Sequence, residues 1–320
     1  MKIAITGAAG YFGRKIIEKL EENEEIEKIV GISRRKFSHN FKKLKYYQMD
    51  VRDNKVKNLF KKYEVDSLIH LAFILNPIHN EKEMHEINVG GTKNILNAAK
   101  EAKIKKIIMT SSTMVYGAWP DNPEFLYEDS PLRGHPKYYY NKDKIKIERL
   151  SNEFIKENPE ITFTILRPCL VLGPNVNHFY SRLLNWPFLP LVDGENPDMQ
   201  FIHEDDIARA YEFFLNNDIN GIFNIVGHGT MKWKDIITFA GKRAIKMPSS
   251  ILYPIANFLW KIRLLEAPPA IFDFIRYRWV ASGEKAKNIG FIPKYSTKEA
   301  YFDFLKSKGR VIHMLQSTHL

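Results

Sequence analysis

Thr6-Gly7-Ala8-Ala9-Gly10-Tyr11-Phe12-Gly13 follows the apolar run Lys2–Thr6 and opens a helical pattern. Glycine alone tolerates the tight turn and the close backbone approach that a pyrophosphate demands. The helix that begins there offers unpaired N–H donors and the positive end of its dipole. A glycine turn in isolation is a weak signal. Its place one strand from the start of the chain, opening an alternating pattern, makes it a strong one. Gly7, Gly10, Tyr11, Phe12 and Gly13 are therefore candidate dinucleotide contacts.

Working outward, short apolar runs at 2–6, 28–32, 46–49, 67–71, 106–109 and 162–166 alternate with helical patterns at 12–22, 56–62, 84–102 and 140–155. Parallel neighbours need crossover connections, so the alternation predicts an α/β chain: a Rossmann-type, doubly wound parallel sheet. Past Pro168 the rhythm breaks into shorter helices and isolated strands such as 222–226, punctuated by prolines. The expected organisation is a dinucleotide-binding domain at 1–168, to which some later segments return, then a smaller, mixed C-terminal substrate lobe at 169–308 and a frayed tail at 309–320.

Composition narrows the class. The 320 residues are 44% hydrophobic and 27% charged, an ordinary globular balance. One cysteine, Cys169, excludes an internal disulfide and leads us to expect a reducing, cytoplasmic setting. No apolar run approaches the ~18 residues that span a bilayer, and the first residues read as a buried strand rather than a signal peptide. The net charge of +11 is spread over lysines that alternate with apolar residues and glutamates. That pattern suits solvated helix faces, and no nucleic-acid partner is expected.

The end of the second strand bears on cofactor choice. About twenty residues beyond the glycines, an acid commonly binds the adenosine ribose 2′-hydroxyl. Here Ser33-Arg34-Arg35-Lys36 places a hydroxyl and three cations instead. A carboxylate repels a 2′-phosphate, whereas guanidinium groups grip it. Ser33, Arg34 and Arg35 thus favour NADP(H), with NAD(H) the alternative.

Further motifs follow in order: Asp50-Val51, His70-Leu71-Ala72, Asn88-Val89-Gly90-Gly91-Thr92, Ser111-Ser112 before Val115-Tyr116-Gly117, a Tyr-x-x-x-Lys, Arg167-Pro168, and Phe201-Ile202-His203-Glu204-Asp205-Asp206. With the glycine loop, they make residues 1–306 resemble the extended short-chain dehydrogenase/reductases, in the NAD-dependent epimerase/dehydratase branch. The resemblance implies that Asp50 and Val51 flank the adenine and that Leu71, Ala72 and Phe73 form the floor beneath the ribose and phosphates. It adds Pro168 to the cofactor contacts. It gives Asn88 a structural role, makes Asp206 a helix-terminus cap, and leaves His203 a satisfied structural histidine. It also implies a homodimer through the helices that begin near Met84 and Tyr140, and no metal.

Tyr138-Tyr139-Tyr140-Asn141-Lys142-Asp143-Lys144 holds two overlapping Tyr-x-x-x-Lys registers, each pairing residues on one helix face. Members of the family commonly carry an acid four residues after the lysine. Glu148 follows Lys144 in that way, whereas Lys146 follows Lys142, so the expected catalytic set is Ser112, Tyr140 and Lys144. A free phenol titrates near ~10, too high for a base at neutral pH. Lys144 is expected to lower Tyr140 and to bind the nicotinamide ribose, and Ser112 to hold the substrate oxygen beside the phenol.

Two departures bear on substrate. Sugar-nucleotide dehydratases carry Asp-Glu just after the catalytic hydroxyl residue, where this chain has Thr113-Met114. Many nucleotide-sugar enzymes place asparagine three residues after the arginine of the sixth strand; here that slot is Leu170. The residues beyond are apolar and aromatic: Phe179-Tyr180, 186–191 and 251–260. The expected activity is hydride transfer between a nicotinamide cofactor and an alcohol or ketone of apolar or cyclic character. The alternatives are a nucleotide-sugar epimerase with tightly held NAD, or a non-enzymatic dinucleotide sensor. Segment 251–260, which Pro254 should break, could cover the substrate mouth, touch a membrane surface with Lys261 and Arg263, or pack in the core.

Overall fold

The structure, a computed structural model, describes residues 1–76 and 78–309; the expected tail from residue 310 onward lies outside the described residues. Six strands follow the apolar runs: β1 (Lys2–Thr6), β2 (Lys28–Ser33), β3 (Leu44–Gln48), β4 (Ser67–His70), β5 (Lys106–Thr110) and β6 (Thr162–Pro168). The connecting helices are α1 (Tyr11–Glu21), α2 (Val56–Lys62), α3 (Glu81–His85), α4 (Gly91–Glu101) and α5 (Tyr139–Glu157). A later strand, β7 (Gly221–Ile225), pairs in parallel with β6, so the segment expected as isolated extends the central sheet. The seven-stranded sheet has the order β7-β6-β5-β4-β1-β2-β3. β4 and β5 are buried along their whole length, as parallel strands covered on both faces require. The order reverses between β1 and β4, which opens a crevice beyond their carboxyl ends, where such sheets bind ligands.

The pattern at 84–102 predicts one helix, but the chain makes α3, a π-helical turn at Glu86–Gly90, and then α4. The wider turn sets Asn88 inward, where its Oδ1 accepts from Ile74 N (2.8 Å) and its Nδ2 donates to Asp143 (2.9 Å). Asn88 therefore ties the segment after β4 to α5. A Cβ on the adjoining Gly91 would lie 2.6 Å from Val51 Cγ2, so any side chain there would displace Val51.

After β6 come short pairs: Leu170–Leu172 with Phe201–His203, and Phe188–Val192 with Arg243–Met247. Helix α6 (Glu204–Asn216) returns to lie against α1, linked by Lys15–Asp205 at 2.8 Å. Helix α7 (Ser249–Lys261) runs unbroken through Pro254, contrary to the expected break. The ring costs one hydrogen bond, whose acceptor would be the carbonyl of Ser250, and both residues are exposed to water.

Candidate active site

The glycine loop forms a cradle with no room for side chains. Gly7 takes φ +73°, and a Cβ there would lie 2.9 Å from Ala72 N. One on Gly13 would meet Gly7 O at 2.5 Å. Gly7 N donates to Ile32 O (2.7 Å), pinning the loop to β2. The N-terminus of α1 has no side-chain cap, which leaves its N–H groups facing the crevice. Thr6 Oγ1 accepts from Leu71 N and Ala72 N and hydrogen-bonds His70 Nδ1 (2.7 Å). Burial pushes His70 down to about 3, so the ring is neutral and bridges Thr6 to Thr92.

A cavity of about 760 Å³ extends from this cradle. One end is lined by Ser33, Arg34, Arg35, Met49 and Val51, and the floor by Leu71, Ala72 and Phe73. Ser112, Tyr140, Lys144 and Pro168 line it further in, beside Met114, Leu170, Phe179, Tyr180, Ile271 and Trp279. The cradle, the helix terminus and the cavity that continues from them fit a dinucleotide.

Ser112 ends the extended segment after β5 and caps the short turn Thr113–Tyr116 through Met114 N (3.2 Å). Tyr140 and Ser112 line the cavity together. Burial pushes Tyr140 up to about 12, with Ser112 opposing; the expected lowering by Lys144 is not among the causes. Lys144 is itself buried and held down to about 7 by desolvation, against the pull of Glu148 and Asp143. Its Nζ donates to Thr110 O (2.8 Å) and lies 4.1 Å from the Phe73 ring centroid. In the other register, Lys142 is exposed and reaches Glu81, while Tyr138 lies in the cavity with its ring stacked on Tyr140 at 5.8 Å.

The sequence profile of the NAD dependent epimerase/dehydratase family matches residues 3–226. This chain belongs to that family. It is an enzyme of the extended short-chain type, and its cofactor class is a nicotinamide dinucleotide. The uncharacterized protein Rv0501 of Mycobacterium tuberculosis is 24% identical over 315 residues, covering 96% of this chain and 84% of that protein. Two solved structures share the fold. One is the UDP-glucose 4-epimerase of Thermus thermophilus in complex with NAD (TM-score 0.74, 21% identity, 97% of this chain and 100% of that one). The other is the dTDP-glucose 4,6-dehydratase of Bacillus anthracis in complex with NAD (TM-score 0.74, 18% identity, 97% and 96%).

Among the other family motifs, Asp206 sits differently from expectation. The Asp50 carboxylate is engaged by Arg52 (3.0 and 2.9 Å), while its neighbours Met49 and Val51 line the cavity. His203, not Asp206, caps α6, accepting from Asp205 N (3.1 Å). Asp206 lies one turn inside and accepts from Lys294 N and Tyr295 N (2.8 and 2.9 Å). Tyr11 lines the cavity and donates its hydroxyl to the buried Glu204, whose other oxygen accepts from Asn175 (2.6 Å). Cys169 also lines the cavity, and burial pushes its thiol up to about 12. Within the apolar stretch, Phe179 and Tyr180 reach the cavity, whereas Phe188–Val192 builds the smaller lobe. Ile271 and Trp279 were not legible; nothing in their local pattern marks a wall formed by a loop more than a hundred residues from Tyr140.

Proposed function

We propose that this enzyme is an NADP(H)-linked alcohol dehydrogenase or ketoreductase for an apolar or cyclic substrate, with Ser112, Tyr140 and Lys144 at the reacting carbon. One juxtaposition carries the reading. Ser112, Tyr140 and the buried Lys144 line one cavity, whose inner walls are Met114, Leu170, Phe179, Ile271 and Trp279. Apolar walls with a few placed polar groups suit an apolar ketone or alcohol. The described lining residues include one carboxylate, Glu83, on α3. An acid–base pair for eliminating water is therefore poorly supported.

A bound nicotinamide dinucleotide supplies or accepts the hydride. The protein's part is to place and protonate the substrate oxygen. At about 12, Tyr140 keeps its proton at neutral pH, the state that donates to a developing alkoxide during reduction. Ser112 orients that oxygen, and a protonated Lys144 stabilises the phenolate that remains. Gly7, Gly10 and Gly13 with the start of α1 would hold the pyrophosphate, and Arg34 and Arg35 the 2′-phosphate.

The test is a titration with NADPH and NADH, followed by a screen of ketones and alcohols. Exchangeable NADPH that reduces a bulky ketone supports the proposal. NAD retained through purification, together with interconversion of UDP-hexoses, selects the epimerase reading instead, which the likeness to epimerase structures favours.

A further inference from the structure

Helix α7 has two apolar faces, and only one of them is packed. Leu252 and Ala256 point into the smaller lobe and are buried. On a separate face Ile251, Ile255 and Phe258, with Ile262 at the C-cap, recur at steps of four, three and four, which align on one stripe of a helix. With Leu264 just beyond, these side chains are between 48% and 73% exposed. Residues 242–265 carry Lys242, Arg243, Lys246, Lys261 and Arg263 and no carboxylate. A different face of the helix approaches the rim of the cavity. The Trp260 ring stacks on His79 at 4.1 Å, and His79 directly follows Ile78, which with Leu75 both lines the cavity and is exposed.

We propose that this face docks on an anionic lipid surface. A contiguous apolar stripe of this size on a soluble fold marks an interaction site. Apolar side chains flanked by cations suit the headgroup boundary of an anionic leaflet. A second copy is a poorer occupant, because a two-fold contact would bring together two surfaces of the same positive sign. Among the described residues no helix is long and apolar enough to cross a membrane, so the contact is peripheral. Delivery of an apolar substrate from the lipid rests on the reductase reading above; the docking itself does not.

The experiment is co-sedimentation of the full chain with phosphatidylcholine vesicles, with and without phosphatidylglycerol. The wild type should bind the phosphatidylglycerol vesicles far better than the neutral ones. Ile255→Glu with Phe258→Glu, and separately Lys261→Glu with Arg263→Glu, should each weaken that binding by roughly tenfold or more. Circular dichroism checks that the variants fold, with Ile255→Ser and Phe258→Ser as a milder pair. A wild type that binds neither vesicle overturns the proposal, as does binding that survives in every folded variant. So does a lipid-free dimer that the Ile255/Phe258 variants dissociate in sedimentation velocity, since a second copy would then own the face. NADPH titration without vesicles separates the two ideas: its failure would remove the reductase reading and leave the vesicle result standing.

Discussion

Arg167 and Glu148 form a fully buried, two-bond ion pair, with Nε–Oε1 at 2.9 Å and Nη2–Oε2 at 2.5 Å. The pair joins β6 to α5 one turn beyond Lys144. Its remaining polar groups are satisfied as well: Ser111 donates to Glu148, and Arg167 Nη1 donates to Tyr116 Oη (2.7 Å) and Glu128 O (2.9 Å). The helix that carries Tyr140 and Lys144 is thereby clamped to the sheet.

Removing one partner strands the other charge in the interior. Glu148→Ala should cost about 3–5 kcal/mol in urea unfolding. Pairing Glu148→Leu with Arg167→Met should recover much of that loss. Equal stability of Glu148→Ala and the wild type would refute the clamp.

Tyr140→Phe keeps the ring and removes the oxygen that moves the proton. Turnover should fall by about 10²–10⁴-fold while NADPH affinity holds. Tyr138→Phe should stay active; if it is the dead variant and Tyr140→Phe works, the other tyrosine carries the proton.

Arg34→Ala with Arg35→Ala should erase most of the preference for NADPH over NADH in isothermal titration, each charge-assisted bond contributing ~1.5–3 kcal/mol. Equal wild-type affinities for the two cofactors would remove the 2′-phosphate assignment and leave Ser33 in place of the missing acid.

Lys144 titrates at about 7 in the folded chain and near 10.5 when unfolded. Between those values the unfolded state binds more protons, so this group makes the fold more stable as pH rises from about 7 toward 10.5. Lys144→Met abolishes that dependence. The thermal-melt advantage of the variant should be largest at pH 7 and shrink by pH 10. A constant difference across the range would contradict the burial cost assigned to this ammonium.

The Tyr180 hydroxyl is buried in the cavity wall with no hydrogen-bond partner in the described structure. Tyr180→Phe should stabilise the substrate-free enzyme by about 1 kcal/mol in urea unfolding. It should also raise KM for substrates with a second polar oxygen, and leave KM unchanged for those without one. A destabilised variant with unchanged KM would show that the hydroxyl is satisfied in solution.

The central sheet and the cofactor cradle were legible because their causes are local. Gly10 and Gly13 answer backbone contacts made within a few residues, although Gly7 answers the distant Ala72, and buried parallel strands announce themselves as continuous apolar runs. Boundaries shifted by a residue or two. The π turn at Glu86–Gly90 was invisible, because the apolar pattern through Met84, Ile87, Ile95 and Leu96 reads as one helix whether or not a residue is inserted to turn Asn88 inward.

By itself the sequence determined the fold family, the glycine cradle and the set of polar residues available for chemistry, since each depends on residue type at short spacing. Only the tertiary structure decided which of them meet. It put Lys144 in the cavity and Lys142 at the surface, made His203 rather than Asp206 the cap, joined Tyr11 to Glu204 across 193 residues, and left the outer stripe of α7 uncovered. The physical reason is the same in each case. A helical pattern states which side chains share a face, but what that face meets is set by segments far away in the chain, whose packing no local spacing records.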